Sequence, residues 1–157
     1  MSPAGDRTIA ARLARMLGLA PAPLGLRGER HAARHLRRLG YRVLARNLRV
    51  AGGEADLVML APDRLTIVIV EVKTRLAGAG HPEPERSITA RKRSTLLRVA
   101  RGVLARGRWR GRPVRIDVVA IDWPASGGAP AVRHFMNAVI QGRSGRAPPG
   151  RVGRLRP

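Results

Sequence analysis

The fold class that this sequence predicts is α/β: one domain with a mixed central sheet flanked by helices. Three observations carry the prediction. Two stretches, Gly28 to Leu39 and Thr89 to about Arg106, repeat apolar residues at helical spacing. Five other stretches are short, apolar or alternating, and bounded by Gly, Pro and Asp turn signals. Their order along the chain, α-β-β-β-α-β-β, is that of strands brought together by helices that cover the faces of a sheet.

Taken in order, residues 1–26 open with a helical pattern (Ile9, Leu13, Leu17) that breaks at Pro21 and Pro23, and read as a peripheral arm. In the first core helix Ala32, Ala33, Leu36 and Leu39 form the apolar stripe, and Gly40 is placed to end it. Tyr41 to Val50 predicts a strand, Gly52 and Gly53 a turn, and Glu54 to Leu60 a second strand. Ala61 to Arg64 is a turn signal, and Leu65 to Lys73, rich in β-branched residues, predicts a third strand. Leu76 to Ser87 has Gly, Pro and charge without a period, and reads as a long exposed loop. Thr89 then caps the second helix, whose inner stripe is Leu96, Ala100, Val103 and Leu104. Val114 to Asp122 and Val132 to Ile140 are the last strands, so that 27–140 is the folded domain. Residues 141–157, with five arginines and no acid, read as a disordered basic tail.

Composition narrows the classes of function. Of the 157 residues 44% are hydrophobic, enough for a core, but only 3% are aromatic, which argues against stacked-base platforms for single strands. There is no cysteine, hence no disulfide and no thiolate metal site. The apolar run Ile67 to Val70 is too short to cross a bilayer, and Arg7, Arg12 and Arg15 interrupt any secretory signal, so a soluble cytoplasmic protein is expected. Net charge is +21. Every basic residue but Lys73 and Lys92 is arginine, as GC-rich coding would favour. Coding bias does not explain why 31 bases face 10 acids, so a polyanion partner is expected, nucleic acid before an anionic membrane surface.

In so basic a chain the acids are informative. Glu29, Glu54, Asp56 and Glu71 fall within the first helix and the hairpin that follows it. Alternation puts Glu54 with Asp56, and Glu71 with Lys73, on one face each. A turn at Ala61 to Arg64 sets Leu60 opposite Leu65, Asp56 opposite Ile69 and Glu54 opposite Glu71, which gathers all four on the same face. A one-residue slip would separate them. Clustered carboxylates repel unless a cation or proton intervenes, and hard oxygen ligands suit Mg²⁺ or Mn²⁺. Such an ion polarises a phosphate and acidifies a bound water, while Lys73 is placed to orient that water and neutralise developing charge. Glu29, three and four residues before Ala32 and Ala33, either completes the metal shell or serves the helix dipole. Lys92 falls on the inner stripe of the second helix, within reach of a phosphate or of the sheet edge. Arg91, Arg98 and Arg101 lie on its outer face, and the four histidines have no metal-ligand spacing.

Gly28-Glu29, Leu39-Gly40-Tyr41, Arg46-Asn47, Gly53 to Leu57, Val70 to Arg75, Lys92, Ile116 to Val119 and His134 to Ala138 together resemble the YraN family of bacterial proteins. That family is similar to the PD-(D/E)XK nuclease superfamily, with its restriction-endonuclease-like fold and Holliday-junction-resolvase relatives. The resemblance covers about residues 27–140. It implies Asp56 and Glu71 as metal ligands, Lys73 as the catalytic lysine, and Glu29 as the helix-borne acid of resolvase-like members; Glu54, by its place on the clustered face, is a further candidate ligand. Lys92, Arg75 and Arg91 are the expected nucleic-acid contacts. The activity so implied is metal-dependent hydrolysis of phosphodiester bonds in DNA, structured or branched DNA included. The alternative is a nucleic-acid-binding protein that keeps the nuclease fold without cutting.

Overall fold

The structure is a computed structural model that describes residues 22–77 and 88–139. The predicted N-terminal arm, most of the Leu76 to Ser87 loop and the basic tail lie outside the described residues. Helix α1 (Leu24–Arg38) is followed by strands β1 (Arg42–Val50), β2 (Gly53–Leu60) and β3 (Ile67–Leu76). Helix α2 (Ala90–Leu104), a 3₁₀ turn at Gly107–Trp109, and strands β4 (Val114–Trp123) and β5 (Ala131–Phe135) complete the order. The five strands form one sheet in chain order. All neighbours are antiparallel except β3 and β4, which run parallel because α2 carries the chain back between them. This mixed sheet flanked by helices is consistent with a restriction-endonuclease-like fold.

Alternation along the strands splits the core into two. Val58, Leu60, Ile67, Ile69 and Ile116 pack with Leu96, Val99, Ala100 and Val103 of α2. Leu57, Met59, Val68, Val70, Val119 and Ile121 pack with Ala32, Ala33 and Leu36 of α1. The two helices therefore cover opposite faces of the sheet. Helix α1 begins four residues before Gly28, directly after Pro23, whose ring presets the backbone for a helix start. It ends in a Schellman motif: Gly40 has φ 87°, its N–H reaches the Arg37 carbonyl at 3.0 Å, and the Tyr41 N–H reaches Leu36 at 3.1 Å. Thr89 caps α2 as predicted, its hydroxyl accepting from the Lys92 N–H at 3.2 Å.

The hairpin register differs from the prediction by two residues. Leu60 faces Ile67 and Val58 faces Ile69, so Asp56 does not face Ile69, nor Glu54 Glu71. The cause is local. Asp63 accepts from the N–H of Leu65 and of Thr66, both at 2.9 Å, and from the Thr66 hydroxyl at 2.6 Å, which draws Leu65 and Thr66 into the turn. The alternation of β2 also breaks, since Ala55 packs in the α2-side core and Leu57 in the α1-side core, so the predicted gathering of Glu54 with Glu71 on one face is lost. Two strand ends also move. β3 continues past Lys73 because its ladder with β4 runs to Leu76 opposite Trp123. β5 stops at Phe135 rather than Ile140, since Asn137 turns through φ 56° and gives its N–H to Asp117 at 2.9 Å.

Candidate functional site

The ladder between β2 and β3 ends at Leu57 opposite Val70, whereas β3 stays paired with β4 for six more residues. Beyond that point the two antiparallel strands part. The Asp56 side chain occupies the opening, its Oδ2 accepting from the Val72 N–H at 2.6 Å where a ladder carbonyl would otherwise serve. Glu71 follows the last paired residue and points to the α2 face, with the parity of Ile67 and Ile69. It is 3% exposed, one of two buried carboxylates among the described residues.

Two ammonium groups hold it. Lys73 Nζ lies 2.9 Å from Glu71 Oε1 and Lys92 Nζ lies 2.8 Å from Oε2. The second contact is an ion pair without hydrogen-bond alignment, so Oε2 is a buried oxygen with no well-directed donor. Thr89 begins α2 over this end of the sheet, which is what carries Lys92, one turn in, to Glu71. Asp56 is pushed up to about 6, by burial above all and then by the charge of Glu71. The Val72 N–H and Lys92 oppose that rise, and Glu29 adds to it from α1 on the other side of the sheet.

Glu29 comes to the site through a close approach. A Cβ on its neighbour Gly28 would sit 1.8 Å from the Thr74 hydroxyl, so only glycine lets this turn of α1 touch β3. Asp56, Glu71, Lys73 and Lys92 thus gather where β2 and β3 diverge, and Glu29 acts on Asp56 only through its charge from the other side of the sheet. Glu54 is placed otherwise: it pairs across the hairpin with Arg49 at 3.2 Å, and its side chain is 40% exposed. Arg91 is exposed on α2, and Arg75 bonds to Asp122. Among the described residues no group of three or more His, Asp or Glu side chains converges as a ready metal cage. Two carboxylates suffice for Mg²⁺, which fills its remaining positions with water and phosphate. Asp56 and Glu71 fit it, since a cation would relieve their repulsion and could serve Glu71 Oε2, which Lys92 meets as an ion pair without hydrogen-bond alignment.

Three features are not legible in the sequence. Lys92 lies on the inner stripe of α2, but spacing along the chain does not reveal its partner, Glu71. Asp117, fully buried on the α1 face, accepts from Arg115 Nε at 3.0 Å and lies 2.9 Å from His134 Nε2. Arg115 also reaches the Tyr41 hydroxyl at 2.6 Å, so this network ties β4, β5 and the end of α1 together away from Glu71. Asp122 takes Arg75 on one oxygen and Arg133 on the other. Only strand alternation could have hinted at these partners, because they are remote in sequence.

The described helices include none long and apolar enough to cross a membrane. The sequence profile of "Uncharacterised protein family UPF0102" matches residues 28–121. A UPF0102 protein of Clavibacter michiganensis subsp. michiganensis is 47% identical over 116 residues, 73% of this chain and 94% of that protein. UPF0102 proteins of Geobacter sulfurreducens and Pseudomonas entomophila are 43% and 45% identical, over 73% and 70% of this chain and 87% and 88% of theirs. The matched stretch contains Glu29, Asp56, Glu71, Lys73 and Lys92, and on this likeness the chain belongs to the UPF0102, or YraN, family.

Proposed function

We propose that this protein is a Mg²⁺- or Mn²⁺-dependent nuclease that hydrolyses phosphodiester bonds in DNA, acting in the cytoplasm on structured or branched substrates. The observation that carries the reading is the buried Glu71 carboxylate held between Lys73 and Lys92, beside an Asp56 whose pKa is raised to about 6. A surface ion pair would not be buried in this way, and displaced pKa values in a cleft mark sites of chemistry. Asp56 and Glu71 would hold the ion, which when bound supplies Lewis acidity toward a phosphate and a water. Lys73, tethered to Glu71 and 36% exposed, presents its ammonium to the solvent side, where it can hold a water and neutralise charge growing on the phosphate. Lys92 balances the charge of Glu71 and can turn to a phosphate when a cation takes its place at Oε2. Glu29, from the opposite layer, adds negative potential that favours the cation. The charge of +21 supplies affinity for the polyanion.

The test offers linear, single-stranded, flapped and four-way DNA to the purified protein, with and without Mg²⁺ or Mn²⁺. Asp56→Asn, Glu71→Gln and Lys73→Ala are expected to lower cleavage at least a hundredfold. Metal-free DNA binding should hold or tighten slightly in the two carboxylate variants, because a carboxylate repels the backbone. Wild-type protein that cuts none of these substrates with either metal, yet binds them as the variants do, overturns the nuclease and leaves a nucleic-acid-binding protein.

A further inference from the structure

Helix α1 has two faces of opposite character. Gly28, Ala32, Ala33 and Leu36 are buried against the sheet. Arg30, Arg34, Arg37 and Arg38 are exposed. At about 100° per residue these four fall within an arc of roughly 100° directed away from the sheet. From Arg30 to Arg38 the stripe is about 12 Å long, a length over which one strand of B-form DNA carries about four phosphates.

The stripe is uncompensated. None of its four guanidinium groups meets a carboxylate among the described residues. The one acid of α1, Glu29, has Gly25 and Leu26 behind it and Ala32 and Ala33 ahead at the spacings where helix side chains pair. Arg30 with Arg34, and Arg34 with Arg38, stand four residues apart, where like charges repel and weaken a helix. Arg37 and Arg38 offset part of this in the last turn, where cations complement the helix C-terminus. Arg30 and Arg34 stand too far from that end to do so. The positive potential is felt by the histidines beside the stripe. His31 is held below the usual histidine range by burial and then by Arg34 and Arg38, and His35 by burial, His134, His31 and Arg38. The complement of this face is a nucleic-acid backbone rather than a lipid surface, because the apolar side of α1 is sealed in the core and leaves nothing to insert among acyl chains.

We propose that Arg30, Arg34, Arg37 and Arg38 form a second docking surface for a nucleic-acid backbone, which takes a DNA segment other than the one at Glu71. Helices α1 and α2 cover opposite faces of the sheet and Glu71 points to the α2 face, so the stripe looks out from the other side of the domain. DNA with several arms, such as a four-way junction, engages both sides at once, whereas a straight duplex engages one at a time. The inference rests on the nucleic-acid reading above, but binding alone tests it, without cleavage.

Fluorescence anisotropy of labelled linear duplex and four-way DNA, in EDTA and over a series of salt concentrations, separates this surface from bulk charge. Arg30→Gln combined with Arg34→Gln keeps good helix formers and relieves repulsion, so the melting temperature should not fall. The double variant is expected to bind four-way DNA about tenfold more weakly, with the log–log salt slope reduced by about 1.8, as for two lost phosphate contacts. On linear duplex, which has the other side of the domain to bind, the loss should be about threefold or less. The charge-matched control combines Arg106→Gln with Arg110→Gln, exposed beyond the end of α2 that is remote from Glu71, and should change binding to either DNA by less than about threefold. If the double variant melts early, Arg34→Gln alone serves, with a loss on four-way DNA of about threefold. Losses no greater than the control's, or equal on the two DNAs, overturn the second surface. A variant that loses only its binding to phosphatidylserine vesicles overturns it as well. The expected loss beside a wild type that never cuts sustains the surface and sinks only the nuclease. A wild type that binds neither DNA sinks both.

Discussion

At the scale of single residues, Asp56 carries opposing demands. Its carboxylate serves the Val72 N–H, yet it is desolvated and faces the charge of Glu71, and its pKa rises to about 6. The unfolded chain titrates near the ordinary aspartate value, so the folded state holds this proton more tightly. The stabilisation is therefore fully present below pH ~4 and is lost as pH rises through about 6. Asparagine keeps an acceptor for Val72 without a charge to desolvate. In EDTA, Asp56→Asn should match the wild type in stability near pH 4 and exceed it at pH 8 by about 1–2 kcal/mol, discounted for partial exposure. Thermal melts at the two pH values check this. A wild-type advantage at pH 8 would contradict the burial of Asp56 beside Glu71.

At the scale of elements, the site depends on how closely two helices approach the sheet. Helix α2 does so over the β1–β2 hairpin, where a Cβ on Gly53 would stand 2.6 Å from Thr95 Cγ2 and one on Gly102 would stand 2.6 Å from Val50 Cγ2. Helix α1 does so at Gly28 against Thr74. Gly28→Ala must lift the first turns of α1, at a cost of about 1–3 kcal/mol typical of overpacking. Because Glu29 is the next residue, the same lift weakens the repulsion it exerts on Asp56. Adding Thr74→Ala removes the hydroxyl and methyl in the way. The double variant should therefore recover part of the loss, a coupling between contacting residues that a thermal or denaturant double-mutant cycle measures. Independent, additive losses would contradict the close approach.

At the scale of the whole molecule, a charge of +21 is spread over the full chain, and its described acids are mostly engaged: Glu54 with Arg49, Glu71 with two lysines, Asp122 with two arginines, Asp117 with Arg115. Little of the positive charge is therefore neutralised within the fold, and its self-repulsion is eased by a polyanion. DNA affinity should fall log-linearly with salt, and deletion of residues after Gln141, which removes five arginines, should flatten the slope while leaving the melting temperature nearly unchanged. Titrations in salt with both lengths of chain measure it. A slope unchanged by the deletion would assign DNA binding to the folded domain alone.

The sequence by itself determined the element order, the Thr89 cap, the Gly40 helix stop and the shared face of Glu71 and Lys73. All of these are governed by local chemistry or by a period of 3.6 or 2, which a chain displays wherever it folds. Tertiary structure decided the rest. The register moved by two because Asp63 enlarges its turn through three hydrogen bonds, a competition that composition does not reveal. Lys92 found Glu71, and Asp122 gathered Arg75 and Arg133, only when a parallel pairing of β3 with β4 brought distant segments together. Glu54, similar to Asp56 in sequence pattern, went to a solvent ion pair with Arg49 because the hairpin ladder sets those two residues opposite each other. Which charges become partners depends on distances across the sheet, and those are fixed by packing rather than by spacing along the chain.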